Sequence, residues 1–385
     1  MAIPLAYNLR NLVVRKTTTL MTALGIALTV AVLLSILALV NGLKGALTAS
    51  GDPLRIVVVR KGSTSELVSN FVRAAFQDLK FKPGMATGSD GQPLASLEMI
   101  TIVNLAREND SDVNVNVRAM LPVGRELRPN VRIVQGRWFN PGQREMVVGR
   151  MLAVQHDSAQ VGKKIHFGRG DWDIVGVMDG GGGATDSEIW ADLNQISSDM
   201  QRVEILSSAT LKATDAVAAQ ALINDINNDQ RLDMSAQNEQ AYYVAQTDSA
   251  TPIRDVGIFV AIVMAVGSSF AAMNTMYAAV SRRAREIGTL RVLGFSRGSI
   301  LISFFVESML LSILGGVLGC LLALPLNGMS TQLGANFATL AFGFKVTPDA
   351  MIGGVVFAVV MGAIGGLFPA RMASKKEILT ALREV

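Results

Sequence analysis

Long uninterrupted runs of hydrophobic positions divide the chain into four apolar segments and one large mixed segment. The first run has no charged residue between Lys16 and Lys44, and the third has Glu307 as its only charge. Because a bilayer-spanning helix needs about 20 mostly apolar residues, each of these runs is long enough to cross a membrane. The sequence therefore predicts transmembrane helices at 18–43, 256–281, 299–326 and 350–370.

The mixed segment, 44–255, has the shorter periods of a folded α+β domain. Valines alternate with polar residues over 113–120, as in a strand with one wet face, and apolar residues recur at helical spacing over 67–79. We expect Ser63 or Thr64 to cap that helix. The predicted strands are 54–60, 97–103, 113–120, 131–134, 165–167 and 172–177, and the predicted helices are 67–79, 215–227 and 235–246.

The order of these elements predicts how the domain is organised. Two α/β halves, about 50–120 and 201–250, flank a β-rich insert at 121–200. The predicted fold is an α-helical membrane protein with four transmembrane helices and a large α+β domain inserted between spans one and two.

Basic residues are concentrated in three segments that four spans would place on one side of the membrane: 1–17, 282–297 and 371–385. These segments hold 12 basic and 3 acidic residues, whereas 44–255 holds 22 basic and 26 acidic residues. Because positive residues favour the cytoplasmic side, we expect both termini in the cytoplasm and 44–255 in the periplasm, together with a short outside loop at 327–349. The expected location is the cell inner membrane. The same distribution explains the basic pI of about 9.3 without nucleic-acid binding.

Composition agrees with a membrane protein, because 17% of the residues are charged, against about 25% in soluble domains. The first apolar run exceeds the 7–15 residues of a cleavable signal peptide, so we interpret it as an uncleaved anchor. Cys320 is the single cysteine, which excludes an intramolecular disulfide and a cysteine zinc cluster. His156 and His166 are too few for a multi-histidine metal site. The sequence shows no catalytic residue and no metal site.

A glycine run at 180–183 and a Gly-Lys-Lys run at 162–164 are the two candidates for a phosphate-binding loop. A P-loop needs a glycine, four residues and then Gly-Lys-Ser/Thr, so that amides and a lysine surround the phosphates. The run lacks the lysine, and the Gly-Lys-Lys at 162–164 lacks the preceding glycine. We therefore predict a surface loop and no nucleotide site in this chain.

Two kinds of residue inside the predicted spans are candidates for function. Glu307 lies about two turns into span three, where an acid is costly and is not expected to face lipid. It either handles a proton or substrate or, the interpretation we favour, pairs with a neighbouring helix or approaches the interface. Small residues permit close packing of helices in a bilayer, and the candidates are Gly315, Gly316 and Gly319 in span three and Gly362 and Gly366 in span four.

The segment 282–297 has the pattern of a short amphipathic helix. Apolar residues recur from Ala284 through Ile287 to Leu290 at helical spacing, and Gly294 can end the helix. Such a helix between two spans either lies on lipid head groups or contacts a cytoplasmic partner.

The run RAREIGTLRVLG at 283–294 resembles the coupling segment of FtsX-like and MacB-like ABC transporter permeases. Four further segments agree in order: the approach to span one at 10–26, the MacB-like pattern at 136–165, Glu307 with the glycines after it, and the exit from span four at 369–383. The resemblance covers nearly the whole chain. Two departures are a Lys375-Lys376 pair where the family often has a proline, and an N-terminal segment too short for the ATPase domain fused in MacB.

The resemblance implies a permease subunit without enzymatic activity of its own, containing a MacB-type periplasmic core domain and forming a dimer with a second copy or a paralogue. ATP and Mg would be bound by a separate cytoplasmic ABC ATPase, and this chain would hold no cofactor. By resemblance, contact with that ATPase falls to Arg282, Arg283, Arg285, Glu286, Ile287, Leu290, Arg291 and Gly294.

Three functions follow from these expectations. In the first, mechanotransmission from the ATPase moves the periplasmic domain, with membrane lipid around the spans. This movement exports or extracts a lipid, lipoprotein, peptide or drug, and an efflux system would add a periplasmic adaptor. In the second, the chain is an FtsX-like transducer that regulates a cell-wall hydrolase, and in the third it is a receptor without an ATPase. The large two-part domain favours the first. We also expect Glu286→Arg or Ile287→Asp to uncouple ATP hydrolysis from transport without unfolding the chain.

Overall fold

The computed structural model describes residues 10, 14, 16–49, 51–107, 110–247, 251–335 and 338–375. Within these residues, four helices are long and apolar enough to cross a membrane. They are α1, α8, α10 and α11 below, and we refer to them as spans one to four. The described helices are α1 (Lys16–Ala49), α2 (Ala75–Lys80), α3 (Val123–Glu126), α4 (Arg150–Gln155), α5 (Leu193–Asp199), α6 (Ala216–Asn228), α7 (Glu239–Thr247), α8 (Thr251–Arg282), α9 (Ala284–Val292), α10 (Arg297–Ala323) and α11 (Pro348–Lys375).

The chain forms two compact units. The helical unit comprises the described parts of 16–41, 251–329 and 344–375, and the inserted domain comprises those of 42–247 and 330–343. Span one begins before its predicted bounds and ends after them, since the helix continues to Ala49 in the inserted domain.

The spans of the helical unit pack through apolar side chains and a few hydroxyl groups. Ile26, Val30 and Leu34 of span one are buried against spans three and four. The Thr29 and Ser268 hydroxyl oxygens lie 2.7 Å apart and join span one to span two. Span three begins at a cap in which the Ser296 hydroxyl accepts a hydrogen bond from the Ser299 amide.

The inserted domain is built on one mixed sheet that contains ten of the described strands. Their order is β12-β1-β11-β3-β4-β9-β6-β8-β5, and β7 pairs with β8 outside this path. The pairs β4–β9 and β6–β8 are parallel, and the other pairs in this sheet are antiparallel. The described strands are β1 (Arg55–Arg60), β2 (Phe71–Val72), β3 (Ala95–Arg107), β4 (Asp110–Met120), β5 (Arg132–Gly136), β6 (Glu145–Gly149), β7 (Lys164–Phe167), β8 (Gly170–Asp179), β9 (Glu188–Asp192), β10 (Ile205–Leu206), β11 (Ser208–Lys212), β12 (Met234–Asn238), β13 (Ser330–Ala335) and β14 (Ala338–Gly343).

Strands from the two predicted α/β halves are neighbours and form one end of the strand order, and strands from the predicted insert form the other end. The two groups of strands are joined by the parallel β4–β9 pair. The sheet is covered on both faces, which is why β1 is buried at five successive positions. Ile56 and Val58 face an apolar core that includes side chains of α2, α5 and α6, whereas Val57 and Val59 face Tyr242 of α7.

Two predicted helices are partly wrong. The helix expected over 67–79, with its cap at Ser63 or Thr64, is replaced by turns, the short strand β2 and the six-residue helix α2. Phe71 and Val72 pair with β10, a partner far along the chain that a local period cannot reveal. The helix expected over 235–246 begins only at Glu239, because the preceding residues form β12 and pair with β1.

The segment between spans three and four, predicted as a short outside loop, forms a β-hairpin. Its strands β13 and β14 pair from Ser330–Gly343 to Ala335–Ala338, and β14 lies against β4 and the 3-10 turn Ala184–Ser187. Gly42 permits its close approach, since a Cβ there would lie 2.2 Å from the Gly343 carbonyl oxygen and 3.2 Å from the buried Phe342 ring. The hairpin therefore belongs to the inserted domain, although it joins two spans.

Candidate coupling segment

The helical conformation is interrupted at one residue between span two and the short helix α9. Span two ends at Arg282, α9 begins at Ala284, and Arg283 between them has non-helical angles. Gly294 adopts a φ of +92°, a left-handed conformation that favours glycine and ends the helix. The helix predicted from the amphipathic pattern is therefore present, and both of its ends are defined.

Arg283 is buried and joins three parts of the helical unit. Its Nη1 donates to Glu307 Oε2 at 2.9 Å, and its Nε donates to Glu286 Oε2 at 2.9 Å. The guanidinium also lies 4.9 Å from the ring centroid of Phe304, a cation–π distance. Glu307 is thus paired with the start of the coupling helix, which supports the structural interpretation of this acid over proton handling.

The helix α9 has one buried face and one exposed face. Ala284, Ile287 and Gly288 are buried, and Ile287 packs in a cluster with Val280 and Phe304. Ile287→Asp would place a carboxylate in this cluster, so this substitution would disturb the bundle rather than only uncouple it. The exposed residues of the predicted set are Arg282, Arg285, Glu286 and Gly294, whereas Leu290 and Arg291 are half-buried.

Two exposed residues at the end of α9 were missed by the sequence reasoning. Val292 and Leu293 have 63% and 65% of their surface exposed, directly before Gly294. They lie outside the apolar stripe that begins at Ala284. The sequence feature that could have revealed them is the presence of two apolar residues on the polar side of the helix. Together with Arg285 and Glu286, they form an outward surface of two aliphatic side chains and two charges, which we refer to as the coupling surface.

The glycines of spans three and four lie at close contacts between helices. A Cβ on Gly362 would lie 1.7 Å from Ser312 Oγ, and one on Gly366 would lie 1.9 Å from Ser308 Oγ. Glycines and serines four residues apart thus face each other across spans three and four. Gly315 and Gly319 approach Ile26 and Val30 of span one, and Gly316 approaches Ala358 of span four.

The glycine run at 180–183 does not offer its amides to a phosphate. The carboxylate of Asp186, which is buried, already accepts hydrogen bonds from the Gly180 and Gly182 amides. His166 pairs with Asp171 on the surface, and His156 is buried. In the described ranges, no group of three or more His, Cys, Asp or Glu side chains is placed to hold a metal ion.

The inserted domain contains a buried cluster of charges that the sequence reasoning missed. Arg118 donates to Glu66 at 3.0 Å, to Glu98 at 2.6 Å and to Glu188 at 3.0 Å. Arg128 also pairs with Glu98, at 2.7 Å. Neutral donors complete the cluster, since Ser208 donates to Glu66 and Trp190 donates to Glu188. We refer to these five charged residues as the charge cluster; it lies on the face of the sheet opposite the apolar core.

The charges of this cluster stabilise one another against the cost of burial. Burial disfavours the ionised form of Glu98, but Arg128 and Arg118 outweigh it and lower the pKa of Glu98 to about 2. Burial also opposes the charge of Glu188, and Arg118 again prevails and lowers its pKa. The pKa of Arg118 is raised, because the three carboxylates outweigh its desolvation. Glu98, Glu188 and Arg118 are therefore ionised at neutral pH.

We expect the inserted domain to lose stability as the pH falls from about 4.5 to about 2. A carboxyl whose pKa is 4.5 when unfolded and about 2 when folded contributes stability above pH 4.5 that is lost through this window, and for Glu98 this is about 3 kcal/mol. Urea unfolding followed by tryptophan fluorescence measures it, since Trp138, Trp172 and Trp190 all lie in this domain. Midpoints that are equal at pH 5 and pH 3 would contradict the expectation.

The sequence matches two family models in the order of the structure. The model described as MacB-like periplasmic core domain matches residues 19–229, which is more than half of the chain, and the model described as FtsX-like permease C-terminal matches residues 258–378. The chain belongs to the MacB-like permease family. It is therefore a permease subunit of an ABC transporter, a multi-pass membrane protein with a MacB-like periplasmic core domain. We refer to the inserted domain from here as the periplasmic core domain.

Two curated relatives of this MacB-like permease differ in length: it aligns with nearly all of one and with about half of the other. It is 24% identical to the uncharacterized ABC transporter permease YknZ of Bacillus subtilis, over 97% of both chains. It is also 24% identical to the macrolide export ATP-binding/permease protein MacB of Hahella chejuensis, over 85% of this chain and 55% of that protein. The permease therefore spans about half the length of the MacB relatives it matches and nearly all of YknZ.

Solved structures of extracytoplasmic regions also resemble the MacB-like permease. The periplasmic region of MacB from Actinobacillus actinomycetemcomitans aligns with a TM-score of 0.39 and 13% identity, over 52% of this chain and 94% of that chain. The extracellular domain of YknZ from Gram-positive bacteria aligns with a TM-score of 0.36 and 14% identity, over 48% of this chain and all of that chain.

Proposed function

We propose that this permease couples ATP hydrolysis by a separate ATPase chain to movement of its periplasmic core domain, and that this movement exports or extracts a lipid, lipoprotein, peptide or drug. The observation that carries the proposal is the coupling helix α9. It presents an exposed surface of Arg285, Glu286, Val292 and Leu293, while the buried Arg283–Glu307 pair holds it against span three.

A surface held in this way can transmit a displacement. A displacement of Leu293 would be transmitted to span three through Arg283. It would be transmitted to span two through the buried face of α9, which includes Ile287. Spans three and four are packed through their glycines and serines, so they move together. Spans one and two lead directly into the periplasmic core domain along the chain.

Several further features belong to the same proposal. YknZ, which aligns with nearly the whole of this chain, is named a permease, and we propose that ATP and Mg are bound by a partner chain. A cytoplasmic position for both termini and α9 is supported by their excess of basic residues. A dimer of permeases, with two ATPase subunits and an inner-membrane location, completes the assembly that we propose.

We expect Leu293→Asp to abolish binding of the ATPase without changing the fold, because the carboxylate would stay in water in the free chain but face an apolar contact in the complex. The measurement is affinity purification from native membranes in mild detergent, followed by mass spectrometry. We expect at least a tenfold loss of the co-purified ATP-binding chain. The matched control is Val154→Asp, an equally simple substitution at an exposed valine of the periplasmic core domain.

Two reporters in the same chain show whether each variant is folded. The tryptophans report on the periplasmic core domain, and the reactivity of the buried Cys320 thiol reports on the spans. Undiminished ATPase recovery with Leu293→Asp would exclude the coupling surface as the binding site. If the wild-type chain retains no ATPase, the helix α9 would instead lie on lipid head groups. An adaptor in the wild-type sample would indicate export, and a cell-wall hydrolase would indicate the transducer.

A further inference from the structure

The segment that leads out of span one and the segment that leads to span two lie side by side at one edge of the sheet. The chain joins the sheet at β1 and leaves it at β12, and these two strands are antiparallel neighbours. Ile56, the second residue of β1, is paired with Asn238, the last residue of β12. The next residue, Glu239, begins α7, the helix that precedes span two along the chain.

A compact set of contacts joins these two segments. The Glu239 carboxylate accepts hydrogen bonds from Arg55 Nε at 2.5 Å and from the Asp52 amide at 2.8 Å. Asn238 Nδ2 donates to the Pro53 carbonyl. Arg55 and Glu239 have only 3% and 1% of their side-chain surface exposed. The pair is therefore isolated from water, and salt weakens its attraction much less than that of an exposed pair.

The same pair is anchored in the interior of the domain. Arg55 Nη1 donates to the carbonyl of Leu127 at 2.8 Å, directly before Arg128 of the charge cluster. On the other side, the Tyr242 hydroxyl of α7 accepts a hydrogen bond from the Glu66 amide, and Glu66 also belongs to the cluster. The helix α7 is thus held to the sheet by directional polar contacts at two successive turns, beside the apolar contact of Tyr242 with Val57 and Val59.

Stability alone does not explain a pair of this kind. Replacing a buried ion pair by packed apolar residues is often neutral or stabilising, so the advantage of the pair lies in its fixed geometry. A guanidinium and a carboxylate accept few orientations, whereas two aliphatic side chains slide over each other. The opposite face of the same sheet is apolar, which shows that this fold supports aliphatic packing elsewhere.

We propose that Arg55 and Glu239 are positioning residues that lock the segment leaving span one to the helix leading to span two, so that both spans move the periplasmic core domain as one body. The proposal rests on the coupling function proposed above. Without the lock, α7 turns on the sheet, and a displacement of span two is absorbed at this joint instead of reaching the domain.

The test replaces the pair by an apolar one in the full chain with its co-purified ATPase, in lipid nanodiscs. The variant is Arg55→Met with Glu239→Leu. The control is Arg60→Met with Asp233→Asn, which removes the exposed pair at the opposite end of β1. Both are made in a Cys320→Ser background, so that introduced cysteines carry the only spin labels.

Two distance measurements test the lock and the coupling function separately. Labels at the exposed residues Val244 of α7 and Val134 of β5 measure how firmly α7 is held to the sheet. Labels at Val256 of span two and Val134 measure the response of the domain when ATP and vanadate are added. We expect the apolar pair to broaden the first distribution at least twofold and to reduce the vanadate-induced shift of the second at least threefold. The control should change neither distance.

The outcomes are distinct. Unchanged width and an unchanged shift in the apolar variant would overturn the proposal. A wild-type chain that shows no shift with ATP and vanadate would refute the coupling function, and the width of the Val244–Val134 distribution would still decide whether the lock exists. Should the apolar variant not fold, Glu239→Gln keeps the acceptor for the Asp52 amide and removes the charge, and the same two distances then decide.

Discussion

Replacement of Arg118 by methionine is expected to unfold the periplasmic core domain while the spans stay intact. The guanidinium contacts Glu66, Glu98 and Glu188, and it is buried. Methionine fills a similar volume but removes the cation from Glu66 and Glu188, away from water, and leaves Glu98 with Arg128. Breaking a buried ion pair costs about 3–5 kcal/mol. Since three carboxylates lose this partner, the loss takes up a large part of the 5–15 kcal/mol that typically stabilises a domain.

The full chain reports this outcome by itself. Thermal unfolding followed by tryptophan fluorescence should show the periplasmic core domain already unfolded, or its midpoint strongly lowered, with Arg118→Met. Cys320 should remain protected from thiol reagents over the same range, because it lies in span three. The matched control is Arg231→Met, since Arg231 pairs with Asp229 at the surface and should melt as wild type. A wild-type midpoint with Arg118→Met would show that the cluster contributes no stability.

Gly362→Val is expected to separate span four from span three. A Cβ at this position would lie 1.7 Å from Ser312 Oγ and 2.5 Å from Ser312 Cβ. Rotation of the serine side chain moves only the oxygen, so the second overlap requires the helices themselves to move apart. Overpacking costs about 1–3 kcal/mol, and we expect the upper end here because the neighbouring Gly366–Ser308 contact opens as well.

The Cys320 thiol measures this loss on heating in detergent, since it becomes reactive when spans three and four separate. We expect a midpoint lowered by about 5–10 °C, with the tryptophan signal of the periplasmic core domain unchanged. Gly353→Val is the matched control, because it introduces the same side chain in the same helix at a glycine with nothing within 4 Å of its Cβ position. Equal melting of the two variants would show that helix contact at Gly362 is not tight.

The spans and α9 were predictable because their signals are local. A charge-free run of bilayer length predicts a span, and an apolar period of three and four residues predicts an amphipathic helix. The basic residues around the spans indicate which side of the membrane each connecting segment occupies. Glu307 was predictable as a residue that avoids lipid, since its isolation among apolar neighbours is visible in the sequence. Its partner Arg283 was not, because the pairing depends on how the residue between span two and α9 is placed against span three.

The charge cluster could not be predicted for a related reason. Arg118 follows the alternation of β4 and therefore looked like a residue on a wet face. Arg118 is buried by partners that are distant in the sequence, among them Glu66 and Glu188. The strand β2 was missed in the same way, since its partner β10 is distant in sequence. Whether the second face of a sheet is buried depends on tertiary packing. The alternation of apolar and polar residues in a single strand cannot reveal that its polar face is covered.

The hairpin of β13 and β14 has a consequence for synthesis of the protein. The strands of the main sheet are complete when the chain reaches residue 238, but the hairpin that lies against β4 ends only at residue 343. At typical synthesis rates, the 94 residues from 250 to 343 take roughly 5–20 s to appear. During that time, spans two and three must enter the membrane while one surface of the domain stays uncovered. Final folding of the domain therefore waits for insertion of the spans, which makes membrane insertion a step in the maturation of the domain outside.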